Sequence, residues 1–337
     1  MSESAAAPFR VRVLTQNLWH GLDHTKPLLM PPAENPLSAW LRRGALLRGL
    51  RLLRHPEARL DGGEVASDAI HPVLDVFCLQ ELNPLGRRLR QLAGDLDMRA
   101  TGKAANVGVR VGPLSYPPLL EEGVGVLWAG PATSPVEHAG TISGRALEAT
   151  LPLGAGRHLE IGAHFAERRV FCAMDCAFAG QRWLFVNTHL HSGSPRNGAA
   201  TRRGREIEAL LDWLLPRMPG FDAVVLCGDF NAEAEHPEMQ RLAGEGFVDL
   251  VARDEKGEAL ATWDPFRNAL CRRSAELSRH DDAHYAWDTE YHRFDHIWLW
   301  TRRTQKWEIR VDRIFDDPSG NTWVSDHFGL LATIVGK

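Results

Sequence analysis

The stretch Ala223-Val-Val-Leu-Cys-Gly-Asp-Phe-Asn231 constrains the fold more than any other part of the chain. Its apolar residues are typical of a buried strand, and the glycine that follows them begins a loop. The strand therefore delivers a carboxylate, Asp229, and a carboxamide, Asn231, to one place, whereas Phe230 points back into the core. An ordinary Asx-rich turn has the same pattern, so the motif gains meaning from similar strand ends elsewhere in the chain.

Length and composition limit what this motif can mean. The chain has 337 residues, of which 44% are hydrophobic, enough for one large α/β domain or two smaller ones. A formal net charge of -4 argues against a strongly basic nucleic-acid-binding surface. The five cysteines favour buried free thiols over a disulfide framework. We find neither a signal peptide nor a run as long as a membrane span, and therefore expect a soluble, cytoplasmic protein. The sequence does not indicate an oligomeric state.

Hydrophobic periodicity predicts strands that alternate with helices until the chain becomes richer in strands towards its end. The predicted strands cover residues 9–14, 73–79, 123–128, 168–178, 182–188, 223–227, 294–300, 306–311 and 325–335. Residues 168–188 are expected to form a β-hairpin, and 306–311 to pair with 294–300. Amphipathic helices are predicted at 37–54, 84–97 and 199–215, with a shorter one at 237–242. We predict no helix or strand for residues 129–162.

Arginines are frequent on the predicted helices, where a solvated helix face is the simplest interpretation. In the first helix they are Arg42, Arg43, Arg48, Arg51 and Arg54. In a nucleic-acid-binding protein, others would contact backbone phosphates, and binding would weaken steeply with salt. Those candidates are Arg87, Arg88, Arg90, Arg202, Arg203 and Arg205.

Polar side chains occur at the ends of the predicted strands. They are Asn17, Glu81, His189, Asp229, Asn231, Asp295, Asp326 and His327. Carboxylate and amide oxygens suit Mg²⁺ or Mn²⁺ better than zinc. Hydrolysis of a phosphate ester requires a cation on the phosphoryl oxygen, a positioned water and help for the leaving oxygen. This set of residues offers groups for each requirement.

Residues 271–292 form a polar segment of a different kind. Its potential ligands are His280, Asp281, Asp282, His284, Asp288 and His292. They lack a recognisable zinc spacing, so we interpret the segment as a substrate-facing loop rather than a metal site.

The order of the motifs resembles that of the endonuclease/exonuclease/phosphatase superfamily, which contains DNase I-like nucleases, inositol polyphosphate 5-phosphatases and neutral sphingomyelinases. The motifs are Thr15-Gln-Asn17, Leu79-Gln-Glu81, Asn187-Thr-His189-Leu, Gly228-Asp-Phe-Asn231, Phe294-Asp-His-Ile297 and Ser325-Asp-His327. The resemblance implies a DNase I-like α/β fold, a four-layer αββα sandwich with two mixed β-sheets flanked by helices. It also implies a short N-terminal tail, residues 1–9, before a single catalytic domain, residues 10–337.

The resemblance implies a metal site. Glu81 would be the principal ligand of Mg²⁺, or of Mn²⁺ as the alternative. Asn17 would lie close to both the metal and the phosphate, and Asp326 would be a second ligand. No organic cofactor is expected, and one or two metal ions remain open.

The resemblance also implies catalytic roles for individual residues. Asp229 would orient or deprotonate the attacking water, and Asn231 would hold the phosphate oxygens. His327, oriented by Asp295, would stabilise the charge on the phosphate. His189 would face the phosphate and assist the leaving group, although the motifs leave open which histidine is the general acid.

Two features bear on the remaining details. Glu122 is a weaker candidate for orienting His189, because the strand that follows lacks the Ser-Arg found there in the family. Asn17-Leu-Trp-His-Gly21 and Thr188-His-Leu-His191 look more like the neutral sphingomyelinase branch, which favours a phosphodiester with a small or lipid head group. A DNA or RNA nuclease is the alternative. A catalytically silent binding module on the same fold is a third hypothesis.

Overall fold

The computed structural model describes most of the chain. The described residues are 8–19, 36–55, 72–106, 110–111, 114–115, 122–143, 147–154, 157–163, 168–192, 198–278, 290–302 and 307–336. The helices are α1 (Pro36–Arg54), α2 (Leu85–Leu96), α3 (Ala199–Leu214), α4 (Pro237–Gly244) and α5 (Ala269–Ser278). The strands up to the middle of the chain are β1 (Phe9–Asn17), β2 (Val73–Leu82), β3 (Arg99–Asn106), β4 (Arg110–Val111), β5 (Leu114–Ser115), β6 (Glu122–Ala129), β7 (Thr133–Ser143), β8 (Leu147–Gly154) and β9 (Arg157–Ala163). The remaining strands are β10 (Arg169–Phe178), β11 (Gln181–His189), β12 (Ala223–Asp229), β13 (Val248–Asp249), β14 (Asp295–Thr301), β15 (Trp307–Ile314) and β16 (Gly329–Gly336).

Two mixed sheets form the centre of the fold. The first sheet is 6-stranded, in the order β15-β16-β1-β2-β6-β3, and the second is also 6-stranded, in the order β13-β14-β12-β11-β10-β7. A smaller 4-stranded sheet has the order β5-β4-β9-β8. Of these strands, β8 and most of β9, together with β7, occupy a region for which the sequence predicted no element.

Each large sheet contains a parallel pair joined by a crossover helix. In the first sheet β1 runs parallel to β2, with α1 between them in sequence. In the second sheet β11 runs parallel to β12, with α3 between them. Parallel strands require such a crossover, and their carboxyl ends lie at the same edge of the sheet. The polar residues that end these strands are thereby brought to one place.

The hydrophobic core confirms the four-layer αββα arrangement. One apolar cluster lies between the sheets and includes Val13, Val76 and Val225, all 0% exposed. Two further clusters lie beneath helices α1 to α4. Helices α1 and α2 pack on the first sheet, for example through Leu50. Helices α3 and α4 pack on the second sheet, for example through Leu210.

A buried polar bridge also joins the two sheets. The Asn187 side chain on β11 accepts a hydrogen bond of 2.7 Å from Gln80 Nε2 on β2. Its amide nitrogen donates to the carbonyl oxygens of Leu79 at 2.9 Å and Gly125 at 2.8 Å. These carbonyls belong to strands β2 and β6, where the register shifts beyond Leu79. Asn187 therefore fills an irregular point of the facing sheet.

Several local predictions are confirmed. The three long helices lie within one or two residues of the predicted ranges. The β-hairpin β10–β11 turns at Ala179 and Gly180, and Phe230 is fully buried. All five cysteines are free and buried. β1 begins at Phe9, one residue before the predicted domain boundary.

Two predictions are wrong. β15 does not pair with β14, because it pairs along its whole length with β16 in the first sheet. The helix arginines are not all solvated either. Arg42 is buried, donates to the carbonyl oxygen of Leu18 at 2.6 Å, and lies over the Trp19 ring. Arg203 is 1% exposed and pairs with Glu238, so its guanidinium is satisfied inside the protein. Arg88 is also buried, at 6% exposure.

Gly228 lets β11 and β12 approach each other next to the strand ends. It has φ +145°, and a Cβ built there would lie 1.9 Å from the carbonyl oxygen of Thr188. No side chain fits that space unless a strand moves. Gly180, in the β10–β11 turn, also has a positive φ of +74°, but a Cβ added to it would meet no atom within 4 Å.

We therefore expect Gly228→Ala to destabilise the protein by about 3 kcal/mol or more, because it adds a backbone clash to an unfavourable backbone conformation. Gly180→Ala, the matched control, should cost only about 1–2 kcal/mol for the left-handed conformation. Urea unfolding followed by tryptophan fluorescence measures both. Equal losses in the two variants would contradict the assigned clash.

Candidate active site

The strand ends converge because of the sheet registers. In the first sheet Asn17 lies opposite Gln80, the residue before Glu81. In the second sheet Asp229 on β12 lies opposite His189 on β11 and opposite Asp295 on β14. A central strand therefore presents a carboxylate between a histidine and a second carboxylate.

Asp229 is the centre of the site. It is 1% exposed and accepts hydrogen bonds of 2.9 Å from Asn17 Nδ2 and from the backbone N–H of Asn231. Its Oδ2 lies 3.6 Å from His189 Nε2 and 3.8 Å from His327 Nε2. Four predicted residues from four separate parts of the chain thus surround Asp229. They are Asn17, His189, Asn231 and His327.

Asn231 lies in a constrained conformation beside Asp229. Its φ is +51°, a left-handed value that asparagine tolerates better than most residues. Its amide nitrogen donates to the carbonyl oxygen of Leu190 at 3.1 Å. Because a carboxamide carries two N–H groups, one remains for an incoming oxygen.

His327 is oriented by Asp295. The imidazole Nδ1 lies 2.8 Å from Asp295 Oδ2, and the ring packs edge-on against Trp263 at a centroid distance of 5.0 Å. Nδ1 therefore carries the proton that Asp295 accepts, and Nε2 points towards Asp229. Thr262 supports this pair, since its Oγ1 accepts the backbone N–H groups of Phe294 and Asp295, each at 3.1 Å.

Glu81 and Asp326 bring further negative charge to the site. Asn17 Nδ2 donates to Glu81 Oε1 at 2.9 Å, so one amide links Glu81 and Asp229. Glu81 is only half-buried, and its φ of +54° is unusual for a residue with a long side chain. Asp326 is 3% exposed and accepts a hydrogen bond of 3.1 Å from Ser325 Oγ.

The pKa shifts follow from this arrangement. Burial raises the pKa of Asp229 to about 7, although the charge of His327 and the hydrogen bonds from Asn17 and Asn231 oppose the rise. Burial also raises the pKa of Asp326, with a contribution from the charge of Glu81. For His327, burial lowers the pKa, but the charges of Asp295 and Asp229 raise it well above its ordinary value.

These groups fit a divalent cation. Among the described residues, Asp229, Asp295 and His327 form a group whose ligand atoms all lie within 4.8 Å of one another. The Asp295–His327 hydrogen bond already explains the approach of those two residues. One buried oxygen, Asp295 Oδ1, has no hydrogen-bond partner within the described ranges. Carboxylate oxygens are hard donors, which suit Mg²⁺ or Mn²⁺.

Other predicted residues lie nearby or fall outside the description. Glu122 is the first residue of β6, where the next residue, Gly123, lies opposite Leu82, so Glu122 is at the same edge as Glu81. The segment 271–292 is not a single loop, because α5 covers its first part through Ser278. His280, Asp281, Asp282, His284 and Asp288 lie outside the described residues. His292 is described, and its Nδ1 lies 3.3 Å from Glu233 Oε1.

The sequence did not reveal the buried residues that support the site through hydrogen bonds. Gln80 and Asn187 were within recognised motifs but received no role, and Thr262 lay outside those motifs. Each acts through hydrogen bonds to partners far away in sequence, 107 residues apart for Gln80 and Asn187. No local pattern predicts such partners.

Comparison with known proteins identifies the chain's family. The family model described as Endonuclease/Exonuclease/phosphatase family matches residues 14–327. The chain belongs to this family. The match extends from β1 to His327 and includes every strand end of the site. No curated protein matches the sequence significantly.

Solved structures share the family's DNase I-like fold. The human nocturnin catalytic domain with bound sulfate is 16% identical, with a TM-score of 0.56, and the match covers 96% of this chain and 94% of that one. An endonuclease/exonuclease/phosphatase from Bacteroides vulgatus is 15% identical, with a TM-score of 0.55 and coverage of 97% and 99%. D. rerio TDP2, complexed with a single-strand DNA product, is 17% identical, with a TM-score of 0.54 and coverage of 96% and 98%. At these identities the similarity establishes the fold alone.

Thr262 offers a test of how the His327–Asp295 pair is held. Thr262→Val keeps the size of the side chain but leaves two buried N–H groups without an acceptor, at a cost of about 1–3 kcal/mol each. We expect a loss of at least about 2 kcal/mol in urea unfolding. Thr262→Ser retains the hydroxyl and should lose less than half as much. If valine and serine are equally tolerated, Thr262 does not anchor Asp295.

Proposed function

We propose that the protein is a metal-dependent phosphodiesterase in which Asp229 activates a water molecule. The observation that supports this most directly is the convergence of two histidine Nε2 atoms on one carboxylate oxygen, at 3.6 Å and 3.8 Å. Fold stability alone does not require three ionisable groups to meet in this way. We also propose that residues 10–337 form a single catalytic domain.

The proposed roles of the residues follow from their contacts. Asp229 orients the attacking water and accepts its proton. His327 is an imidazolium fixed by Asp295, so its Nε2–H stabilises negative charge on the phosphate. Asn231 donates its remaining amide N–H to a phosphate oxygen. His189 faces the same position from the neighbouring strand and assists the leaving oxygen.

Glu81 would hold Mg²⁺ or Mn²⁺, with Asn17 and Asp326 as further candidate ligands. Such a cation supplies charge neutralisation at the phosphoryl oxygen. Glu81 is the least buried of the site's carboxylates, and its bond to Asn17 connects it to Asp229. Asn17 thereby fixes the separation between the metal-binding side and the water-activating side.

An amphiphilic substrate is our preferred class, namely a phosphodiester with a lipid part. Its support is an exposed apolar group at the start of α1, where Leu37 is 65%, Trp40 68% and Leu41 41% exposed. The buried Arg42 anchors this end of α1 to Leu18 and Trp19, directly after Asn17. α1 contains no acidic residue, and three of its arginines, Arg43, Arg48 and Arg51, are exposed, which suits an anionic lipid surface. Among the described helices, none has the length and apolar character needed to cross a bilayer.

A nuclease is the alternative. Arg87, Arg90, Arg202 and Arg205 are exposed, as contacts with backbone phosphates require. Arg88 and Arg203, which the sequence placed in the same group, are buried and do not support the nuclease hypothesis. The net charge of -4 also weighs against this alternative.

The enzyme hypothesis predicts activity that depends on metal and on Asp229. We expect the purified protein to hydrolyse at least one of four substrates with Mg²⁺ or Mn²⁺, and to lose that activity in EDTA. The substrates are a bis-aryl phosphodiester, sphingomyelin, plasmid or single-stranded DNA, and an inositol polyphosphate. Asp229→Ala should lower kcat by about 10³-fold or more, because it removes the group that activates the water.

Asp254→Ala is the matched control, since Asp254 is an exposed loop aspartate bonded only to nearby backbone N–H groups among the contacts described. Its kcat should stay within about twofold of the wild-type value. Equal rates for Asp229→Ala and wild type on every substrate would refute the enzyme hypothesis. Turnover of DNA alone, with binding that weakens steeply with salt, would favour the nuclease.

Trp40 separates the lipid hypothesis from the others. Trp40→Ala should reduce hydrolysis of a lipid phosphodiester in anionic vesicles by about tenfold, because a large apolar surface no longer enters the lipid. Hydrolysis of the soluble bis-aryl phosphodiester should not change. Val136→Ala is the control, since Val136 is 48% exposed on β7, away from α1 in the fold. A Trp40→Ala variant with full vesicle activity would contradict the lipid hypothesis.

A further inference from the structure

A buried cluster of charged residues lies next to the loop that carries Asn231. His296 on β14 is 0% exposed, and Arg293, just before that strand, is 6% exposed. Arg293 Nη1 lies 2.7 Å from Asp249 Oδ2 and 2.9 Å from His296 Nδ1. Asp249 comes from β13, the edge strand of the second sheet. His296 lies within the motif Phe294-Asp-His-Ile297, but the proposed chemistry assigns no role to it, to Arg293 or to Asp249.

The partners of His296 define its hydrogen-bonding state. His296 Nδ1 also lies 3.3 Å from Asp249 Oδ2, so the guanidinium and the carboxylate both contact this nitrogen. A backbone carbonyl oxygen can only accept, so Nε2, which is 2.8 Å from the carbonyl oxygen of Ala232, carries a proton. Asp249 completes the arrangement by pairing with the same guanidinium. His296 thus has one fixed direction of donation, from Nε2 to Ala232.

That direction points at the Asn231 loop. Ala232 follows Asn231, whose φ of +51° requires support from its surroundings. The next residue, Glu233, accepts the backbone N–H of Arg293 at 3.0 Å. On the other side, the N–H of Phe230 donates to the carbonyl oxygen of Phe294 at 2.8 Å. Three hydrogen bonds, from His296, Arg293 and Phe230, therefore connect segment 230–233 to residues 293–296.

We propose that His296 is a positioning residue for Asn231. Oriented by Arg293 and Asp249, it holds the Ala232 carbonyl and so fixes the left-handed backbone from which the Asn231 amide reaches the phosphate. The inference rests on the proposed function only for its effect on rate. The effect on the loop itself is independent of any substrate.

His296→Phe tests the inference because it keeps an aromatic ring but removes the donor. His296→Gln should restore function, since a glutamine amide can donate near the position of Nε2. Trp298→Phe is the matched control. Trp298 lies two residues further along β14, is 2% exposed, and stacks on His296 at 5.9 Å, but it does not contact the loop through a hydrogen bond.

We expect His296→Phe to lower kcat by about tenfold to hundredfold with a smaller change in KM, because a displaced contact group weakens the transition state most. Hydrogen exchange measured by mass spectrometry should be faster in segment 230–233. Glutamine should recover most of both properties, and Trp298→Phe should change neither. The proposal is wrong if phenylalanine at position 296 alters exchange and kcat no more than Trp298→Phe does.

The exchange measurement separates this inference from the proposed function. If the wild type hydrolyses no phosphoester, faster exchange limited to segment 230–233 in His296→Phe still supports the positioning role, and unchanged exchange refutes it. If His296→Phe does not fold, Asp249→Asn replaces it. That variant keeps the size of the side chain, removes the charge that orients Arg293, and should speed exchange in the same segment.

Discussion

The structure depends on a buried hydrogen-bonded bridge between its two sheets. Asn187 uses both ends of its amide to contact Gln80 and the carbonyl oxygens of Leu79 and Gly125, and all of these partners lie in the facing sheet. Apolar side chains between two sheets tolerate small sliding movements, because dispersion contacts have little direction. A buried amide does not, since each lost partner leaves a desolvated polar group. The bridge therefore fixes how β2 and β11 lie against each other.

The position of this bridge explains why the site can form between two sheets. Gln80 directly precedes Glu81, and Asn187 lies two residues before His189. A fixed Gln80–Asn187 contact consequently fixes the separation of the proposed metal ligand from the proposed acid. Asn17 repeats the principle nearer the surface, where its amide joins Glu81 of one sheet to Asp229 of the other. The two sheets behave as halves of one rigid frame at this edge.

Sequence patterns predicted the long helices, most central strands and the family's motif residues, because these depend on local periodicity and on short strings of residues. Strand partners were harder to predict. β15 follows β14 closely in sequence, yet it pairs with β16, the strand that also borders β1. Proximity in sequence favours a hairpin between β14 and β15. Instead, β15 extends the edge of the first sheet by pairing with β16.

The supporting residues were hidden for a related reason. Arg203 and Arg42 look like solvated helix residues until Glu238 and the Leu18 carbonyl are brought to them by the fold. His296 and Thr262 likewise gain their significance from backbone groups many residues away. Such partners are created by tertiary structure, so single-sequence periodicity contains no signal for them.

The left-handed backbone at Glu81 lowers the stability of the fold, while the proposed metal binding requires a carboxylate at this position. A glutamate with a φ of +54° costs about 1–2 kcal/mol relative to a relaxed conformation, and glycine or asparagine would relieve most of that cost. Heat resistance would then improve while the carboxylate disappeared. A laboratory selection based on folding alone would drive this position away from glutamate, whereas a selection that also required the proposed activity would retain the carboxylate.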